Sequence, residues 1–249
     1  MATKALLITG AGRGIGAATA RLAAAAGWRV AVNYVANSAA ADAVVSEIVA
    51  AGGDAFAIQG DVGIERDVMS MFEAVDSRFG RLDGLVNNAG VVDRKARVDE
   101  ISVKRLDRMM RVNVIGTMLC AREAVKRMST RHGGEGGAIV NLSSIAATLG
   151  SPGEYVDYAA SKAAIDTFTL GLAREVANEG IRVNAVRPGI IDTEIHASGG
   201  QPDRIAAMRG MVPMKREGTA GEVASAVLWL LSDASPYTTG ALLNVSGGR

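Results

Sequence analysis

Short apolar segments alternate with helix-forming segments along the whole of the 249-residue chain. The segment "KALLIT" at residues 4–9 is typical of the apolar ones, because it has the length and unbroken apolar character of a strand buried on both faces. Strands that alternate with helices are joined as parallel neighbours, and the connecting helices cover both faces of the sheet. We therefore predict an α/β fold with a single, doubly wound parallel sheet of about seven strands and helices on both faces.

This alternation runs through the chain without a Pro/Gly/Ser-rich linker or a change of composition. We therefore predict one domain over residues 1–249. Long helices are expected over about 102–131 and 157–177, and a capping box at 219–222 predicts the start of another. The least regular segment, about 190–215, contains a Gly-Gly pair and two prolines and is expected to form a lid or substrate loop.

Charge and cysteine content narrow the class of partner. The chain has 27 basic and 26 acidic side chains, a balance that gives no reason to expect nucleic acid or an anionic membrane as a partner.

Cys120 is the only cysteine, so no intrachain disulfide can form, and its apolar surroundings predict a buried, inert thiol. His132 and His196 are isolated, which predicts no metal site. The first residues run straight into a strand pattern without a signal peptide, so we expect a cytoplasmic protein.

A glycine-rich segment, "TGAGRGIG" at residues 9–16, lies between the first strand pattern and the first helix pattern. Glycines let the backbone turn tightly and approach a phosphate, and the helix N-terminus behind them offers free N–H groups and a positive dipole end. An ordinary glycine-rich turn is the alternative, but the strand before and the helix after supply the context that dinucleotide binding requires. We predict a dinucleotide site of the Rossmann type.

The end of the second strand pattern bears on which dinucleotide binds. Such sites usually carry an acid there to hold the ribose hydroxyl, but this chain has Asn33 and no carboxylate. Arg13 places a cation inside the glycine segment, and Asn37 and Ser38 can donate hydrogen bonds at the start of the next helix. These features favour a ribose 2′-phosphate and hence NADP(H), with NAD(H) as the alternative. A merely solvated Arg13 is equally consistent with its position.

Further polar or glycine-rich residues follow the later strand patterns. Because the carboxyl ends of parallel strands lie at one edge of a sheet, we expect these residues to face one crevice. They are Asp61 and Val62, Asn88 to Gly90, Ser143 and Ser144, and Pro188 and Gly189. Asp61 can also serve only to cap a turn.

The segment "EYVDYAASK" contains two tyrosines and one lysine. Tyr158 and Lys162 are four residues apart, so on a helix they share one face at about 6 Å. Tyr155 is nearly two turns away from Lys162, at about 10 Å, and is better placed for the mouth of a pocket. An ammonium near a phenol favours the phenolate, so Tyr158 is the candidate acid/base. Surface packing is the alternative for an isolated Tyr/Lys pair.

Taken together, these motifs resemble those of the short-chain dehydrogenase/reductase family over essentially the whole chain. The matching segments are "TGAGRGIG", "NNAG", Asn113 in "RVNVIG", "NLSS", "YAASK" and "RPG". Within the family, the chain is similar to bacterial 3-oxoacyl-carrier-protein reductase-like and glucose 1-dehydrogenase-like members. The resemblance implies NAD(P)-dependent hydride transfer to or from a small carbonyl compound or alcohol, and assembly as a homotetramer.

The resemblance also implies roles for single residues. Tyr158 exchanges the substrate proton, Lys162 lowers its pKa and binds ribose, and Ser144 hydrogen-bonds the substrate oxygen. Asn113 supports a water-linked proton relay to Lys162. The implied cofactor contacts are Gly10, Gly14, Ile15 and Gly16 to pyrophosphate, Asp61 and Val62 to adenine, Asn88, Ala89 and Gly90 to ribose, and Pro188, Gly189 and Thr193 to nicotinamide. Ser144 precedes Tyr158 by fourteen residues, one more than in many members, but Ser143 fits less well.

Several alternatives stay open at this point. The substrate can be a 3-oxoacyl thioester, another ketone, or a sugar or polyol, and a non-catalytic nucleotide sensor is a second class of function. Such a sensor has no need of the tyrosine, lysine, serine and asparagine set. Met208, Met211 and Met214 either line an adaptable pocket or pack the lid. The basic cluster Arg94, Lys95 and Arg97 is either a solvated loop or a docking patch for an acidic carrier protein.

Overall fold

The computed structural model describes residues 3–194, 200, 205 and 208–249. The segment predicted to form a lid, about 190–215, therefore falls partly outside the described residues, and so does His196. All other motifs singled out in the sequence lie within them.

Seven parallel strands form the central sheet, as predicted. The strands are β1 (Ala5–Ile8), β2 (Arg29–Tyr34), β3 (Ala55–Gln59), β4 (Gly84–Asn87), β5 (Gly137–Leu142), β6 (Ile181–Pro188) and β9 (Leu242–Val245). Their order across the sheet is β3-β2-β1-β4-β5-β6-β9, with every neighbouring pair parallel. Two short strands, β7 (Ile191–Asp192) and β8 (Gly218–Thr219), pair with each other outside this sheet.

Helices connect these strands. They are α1 (Gly14–Ala25), α2 (Ser38–Ala50), α3 (Glu65–Phe79), α4 (Val103–Met110), α5 (Thr117–Met128), α6 (Ala146–Leu149), α7 (Val156–Val176) and α8 (Ala220–Leu231). The predicted capping box is present at the start of α8, where Thr219 and Glu222 exchange side-chain and backbone hydrogen bonds. Among the described residues, no helix combines the length and the apolar character needed to cross a membrane.

The helix expected over about 102–131 differs from the structure in two respects. A π-helical segment, Arg111–Gly116, joins α4 to α5, and α5 ends at Met128. Ser129 ends the helix because its backbone is extended and its hydroxyl accepts a hydrogen bond from the Arg131 N–H. The same hydroxyl donates to the Glu179 carboxylate at 2.5 Å. A short 3-10 turn, Thr130–His132, follows.

The two faces of the sheet bury separate apolar cores. Leu6 and Ile8 of β1 pack with α1, α2 and α8 on one face, whereas Ala5 and Leu7 pack with α3, α5 and α7 on the other. This alternation follows from the period of two along a strand. Every strand of the sheet except the edge pair β3 and β9 is almost fully buried, which explains its unbroken apolar sequence.

The parallel arrangement sets the position of the site. Successive strands run outward from β1 to β3 on one side and from β4 to β9 on the other, so the order reverses between β1 and β4. At such a switch point the loops after the two central strands separate and leave a crevice beyond their carboxyl ends. A buried ion pair, Arg105 to Asp157 with N···O distances of 2.7 and 2.9 Å, ties α4 to the start of α7 beside this crevice.

Candidate active site

The loop after β1 has a backbone path that requires glycine. Gly10 has φ +61° and Gly14 has φ +55°, in the left-handed region that side chains disfavour. Gly16 has a different reason, since a Cβ there would lie 2.6 Å from Asn88 Nδ2 and 2.8 Å from the Gly10 carbonyl oxygen. The loop is therefore as tightly folded as the glycine pattern predicts.

The N-terminus of α1 is left without an internal cap. Arg13 occupies the N-cap position, its side chain makes no capping hydrogen bond, and the first turn contains no acidic residue. The N–H groups of the first turn are therefore available to an anion, and the helix dipole favours a negative charge there. Ile15 and Thr193 line the adjoining cavity, and a Cβ at Gly14 would lie 3.4 Å from Thr193 Cγ2. This arrangement of donors fits a pyrophosphate group.

Side chains from a neighbouring strand hold the glycine loop in place. Asn88, just after β4, donates through Nδ2 to the carbonyl oxygens of Thr9 (2.8 Å) and Gly10 (2.9 Å). The Thr9 hydroxyl in turn accepts from the N–H groups of Asn88 and Ala89, both at 3.0 Å. The two central loops are thus fastened across the switch point, while Asn88 and Gly90 still border the cavity.

Asn33 does not have the position predicted for it. Its side chain is fully buried, its Oδ1 accepts from the Gly10 N–H at 3.0 Å, and its Nδ2 donates to the Gly60 carbonyl at 2.9 Å. It therefore cannot contact a ribose phosphate, and the predicted contact is wrong. The physical reason is the alternation of side chains along β2, which turns Asn33 into the protein. Its role is to fasten the glycine loop to the residues after β3.

The other residues predicted near a 2′-phosphate are exposed. Arg13 forms no ion pair with any residue that the structure describes. Asn37 caps α2, with its Oδ1 accepting from the Ala40 N–H at 3.0 Å, and Ser38 follows it at the surface. A Cβ at Gly12 would lie 3.4 Å from the Ala41 nitrogen, so the glycine loop passes directly beside the start of α2.

Asp61 and Val62 follow β3 in a turn. Asp61 Oδ1 accepts from the Gly63 N–H at 2.8 Å, which is the turn-capping role left open by the sequence. Val62 is buried against the π-helical segment, where a Cβ at Gly116 would lie 2.7 Å from Val62 Cγ2. Contact of either residue with an adenine ring stays a prediction.

Lys162 carries its charge in a buried position. Its side chain is buried, its Nζ donates to the Leu142 carbonyl at 2.7 Å, and it lies 5.7 Å from the centre of the Tyr158 ring. Burial lowers the pKa of the Lys162 ammonium from 10.5 to about 8, and the negative charge of Asp166, one turn further along α7, opposes this shift. Lys162 can therefore act as a nearby positive charge to Tyr158 at neutral pH.

The two serines after β5 have different environments. Ser143 is buried and its hydroxyl donates to the Lys162 carbonyl at 3.1 Å, so it fastens α7 to β5. Ser144 is half-buried, accepts a hydrogen bond from the Ala146 N–H at 3.1 Å and lines the cavity. Tyr158 and Tyr155 both line the same cavity, Tyr158 half-buried and Tyr155 buried at the N-cap of α7.

Asn113 lies in the π-helical segment and is fully buried. Its amide exchanges two hydrogen bonds with the backbone of Val91, at 2.8 and 3.0 Å, and donates to the Ser161 hydroxyl at 3.1 Å. Asn113 therefore connects the loop after β4 to α7. A Cβ built on Gly90 would lie 3.5 Å from both Asn113 Oδ1 and Lys162 Nζ, so both groups lie beside Gly90.

These residues surround a cavity of about 730 Å³. Ser144, Tyr158 and Lys162 form its polar end, with Pro188 and Gly189 beside them. Most of the remaining lining is apolar, with Val92, Ile145, Ala146, Leu149, Ile190, Met208 and Met211, and its polar members include Lys95, Ser151, Glu154, Thr193 and Arg249. Met208 and Met211 therefore line the pocket, whereas Met214 lines a second cavity of about 440 Å³ next to it.

The basic cluster in the loop after β4 is largely neutralised. Lys95, at the rim of the cavity, pairs with Glu154 at 2.5 Å, and Arg97 pairs with Asp99 at 3.2 Å. Only Arg94 of the three forms no ion pair within the described residues. The cluster thus favours a solvated loop over a strongly basic docking patch.

Two buried polar contacts were not predicted from the sequence. Asn87 donates to Asn141 and Asn141 to Thr169, both at 2.9 Å, in a chain that crosses from β4 to α7. Arg187, just before the Pro-Gly turn, pairs with Asp166 at 2.8 Å. The asparagine inside the apolar run of β5 was a signal for the first contact, but nothing local indicates the second.

The remaining candidates from the sequence have no evident place in this site. His132 is exposed in the turn after α5. Cys120 is buried, and burial raises the pKa of its thiol to about 12, as expected for an inert side chain. Within the part of the chain that the structure describes, no three His, Cys, Asp or Glu side chains are placed to hold a metal ion together.

Comparison with known proteins places the chain among related enzymes. A family model described as Enoyl-(Acyl carrier protein) reductase matches residues 10–249. An uncharacterized oxidoreductase, YgfF of Escherichia coli, is 54% identical over 243 residues, which are 98% of either chain. A short chain dehydrogenase from Burkholderia cenocepacia, solved in complex with NADP, is 36% identical with a TM-score of 0.91, covering 99% of this chain and 97% of that one. A 3-ketoacyl-(acyl-carrier-protein) reductase from Brucella melitensis, complexed with NADH, is 33% identical with a TM-score of 0.91, covering 99% and 98%.

Replacing Lys162 with methionine tests the energetic consequence of its burial. Below pH 8 the folded wild type keeps a buried ammonium, which the unfolded chain would expose to water, and this burial lowers its stability. The methionine variant lacks that cost, so its free energy of unfolding at pH 7 should be about 1–3 kcal/mol higher than that of the wild type. Between about pH 8 and 10.5 the unfolded chain binds more protons than the folded one, so the wild type gains stability and the difference should shrink. Urea denaturation at pH 7 and 9.5 measures both effects.

The exposed Lys104→Met provides the matched control, for which little change is expected at either pH. A stability difference for Lys162→Met that is the same at both pH values would contradict the assigned burial cost.

Proposed function

The chain belongs to the short-chain dehydrogenase/reductase family and is an oxidoreductase, and on that premise we propose that it is an NADP(H)-dependent enzyme interconverting a ketone and a secondary alcohol. The observation that carries the proposal is the convergence of Ser144, Tyr158 and Lys162 at the polar end of one cavity. That cavity also borders the uncapped N-terminus of α1, where a pyrophosphate fits.

When bound, the nicotinamide cofactor would supply or accept the hydride, and side chains of the protein would donate or accept the proton. In the reducing direction Tyr158 donates its hydroxyl proton to the carbonyl oxygen, and in the oxidising direction its phenolate accepts that proton. The Lys162 ammonium, 5.7 Å from the ring centre, favours the phenolate. Ser144 donates a hydrogen bond to the same substrate oxygen, where negative charge develops.

Asn113 takes part in this proposal as the distal member of a proton relay. Its Oδ1 and the Lys162 Nζ both lie 3.5 Å from the position that a Cβ on Gly90 would take, so the two groups are neighbours that one or more water molecules can link. Such a water would return a proton to Lys162 and Tyr158 after each turnover. The side-chain bonds of Asn113 to Val91 and Ser161 keep the π-helical segment in position for this role.

The apolar wall of the cavity supports a ketone with an acyl or other hydrophobic portion. Apolar side chains such as Ile145, Leu149 and Met211 offer few partners for the hydroxyl groups of a sugar. The likeness to the Brucella melitensis 3-ketoacyl-(acyl-carrier-protein) reductase supports the same class. We therefore favour a 3-oxoacyl compound or a similar ketone over a sugar or polyol.

Replacing Tyr158 with phenylalanine tests the proton transfer. The variant should bind NADPH like the wild type but lose turnover by about 100-fold or more, because general acid catalysis is removed without loss of the ring. Tyr155→Phe is the matched control, since Tyr155 lines the same cavity, and it should mainly raise KM. NADPH oxidation with a panel of ketones and 3-oxoacyl esters provides the assay, and cofactor titration by fluorescence provides the binding.

A near wild-type kcat for Tyr158→Phe would overturn the mechanism. Tight NADPH binding by the wild type without oxidation of any ketone would instead support a nucleotide sensor.

Arg13 is the remaining cation for a ribose 2′-phosphate, and Arg13→Gln tests NADP(H) preference. A charge-assisted hydrogen bond contributes about 1.5–3 kcal/mol, so KM for NADPH should rise by about tenfold or more, with little change for NADH. Arg21→Gln, on the same helix but paired with Glu47, is the control. The measurement is kcat/KM for NADPH and for NADH with one ketone. Equal effects of Arg13→Gln on both cofactors would contradict a contact of Arg13 with the 2′-phosphate.

Asn33→Asp is not a test of this preference. It would place a carboxylate against the Gly60 carbonyl in a fully buried position and disturb the fold itself.

We also propose a homotetramer. The helices α4 and α5 and the segment between them expose a band of apolar side chains, namely Val103, Leu106, Met110, Ile115 and Met118. A second apolar region contains Trp229 on α8 and the fully exposed Tyr237. Two such regions on one subunit allow two different contacts, as assembly into a closed tetramer requires.

Light scattering at micromolar concentration should give the mass of four chains. Leu106→Glu should reduce that mass, because it buries a charge in the proposed contact, whereas Val49→Glu, at an exposed apolar position on α2, should leave it unchanged. A stable wild-type monomer would contradict the proposal.

A further inference from the structure

The segment after β9 folds back against the polar end of the cavity. Val245 accepts a hydrogen bond from the Gly189 N–H at 2.9 Å, and the next residue, Ser246, lies so close that a Cβ at Gly189 would be 2.7 Å from its Cα. The Ser246 hydroxyl donates to the Arg249 carbonyl at 3.0 Å. These contacts place Arg249 beside the Pro-Gly turn that follows β6.

Two glycines define the path to Arg249. Gly247 has φ +65° and Gly248 has φ +90°, both in the left-handed region. The Gly247 carbonyl accepts from the Met214 N–H at 3.1 Å, and a Cβ at Gly248 would lie 3.2 Å from Pro213. The backbone at Arg249 is therefore held between two loops by a conformation that only glycine adopts readily.

Arg249 lines both the main cavity and the smaller one beside it. Of the other cations that line these cavities, Lys95 pairs with Glu154 at 2.5 Å and Arg216 pairs with Glu222 at 2.6 Å. Lys162, a third cation, lies beside Tyr158 at the polar end and has its proposed role there. Among the residues that the structure describes, no Asp or Glu side chain forms an ion pair with Arg249.

Arg249 as a residue is half-buried. A guanidinium next to an apolar wall attracts an anion more strongly than a fully solvated one, because fewer water molecules compete for it. The cofactor's phosphates have candidate partners elsewhere, at the N-terminus of α1 and at Arg13. The anion that suits Arg249 therefore belongs to the substrate.

We propose that Arg249 is a specificity-determining residue that binds an anionic group of the substrate, a carboxylate or a phosphate, while the ketone lies at Tyr158. This inference rests on the proposed function, which it narrows to anionic ketones. The fork of N–H donors on the guanidinium matches either anion with two parallel hydrogen bonds.

Two matched pairs of substrates test the proposal and separate the two anions. Acetoacetate and ethyl acetoacetate differ in a carboxylate. Acetoacetyl-CoA and the acetoacetyl thioester of N-acetylcysteamine differ in the phosphate-bearing portion. Arg249→Gln should lower kcat/KM for the anionic member of at least one pair by about tenfold or more, and for its neutral member by less than about twofold. Arg249→Lys should recover part of the loss, and Arg216→Gln is the control at a neighbouring, paired arginine.

Equal losses for both members of each pair, or no loss in either pair, would overturn the proposal. So would a rise in the KM for NADPH, which would assign Arg249 to the cofactor. Failure of the wild type to reduce any of the four compounds counts against the proposed function instead. In that case Arg249 is still tested by calorimetric titration of 3-hydroxybutyrate into the NADP⁺ complex. Arg249→Gln should weaken this binding by about tenfold. Equal affinities of the wild type and the variant would overturn the inference.

Discussion

The hydrogen bond from the buried Lys162 ammonium to the Leu142 carbonyl is the contact on which the site depends. It joins helix α7 to the end of strand β5, and the Ser143 hydroxyl returns a second bond to the Lys162 carbonyl. With α7 fixed in this way, Tyr158 lies one turn before Lys162, near the carboxyl ends of the strands. Tyr158, Lys162 and Ser144 then line one cavity. Burial of the ammonium costs stability, and it also keeps a positive charge close to the phenol with little water to screen it.

The opposite wall of the crevice is held by side chains that hydrogen-bond to the glycine loop. Asn33 from β2 and Asn88 after β4 each donate or accept hydrogen bonds with the backbone of the glycine loop. A loop built from glycine has little conformational preference of its own, so these bonds restrict it to one path. The free N–H groups of α1 therefore point at a fixed place, which is the condition for binding a pyrophosphate without reorganisation.

Between these two walls, the cavity divides into regions of different chemistry. Its polar end contains the proton-transfer residues, most of the rest of its lining is apolar, and the charge of Lys95 is neutralised by an ion pair with Glu154. Arg249 is the exception, since no described Asp or Glu side chain pairs with it. A cavity with a carbonyl site at one end and a separate cation at its side would select molecules by the distance between their ketone and their charge.

Much of this architecture could be predicted from the sequence by itself. The seven-stranded parallel sheet, the glycine loop before α1, the capping box of α8 and the shared helical face of Tyr158 and Lys162 all depend on residues close together in the chain. Such features follow from backbone periods of about 2 and 3.6 residues and from the special conformations of glycine. The tertiary structure decided the rest. Asn33 turns inward because of its place in β2, Asp166 meets Arg187 across 21 residues, and Arg249 reaches the cavity only because β9 lies beside β6. These contacts depend on which strands are neighbours and in what register, and no local pattern of residues encodes that.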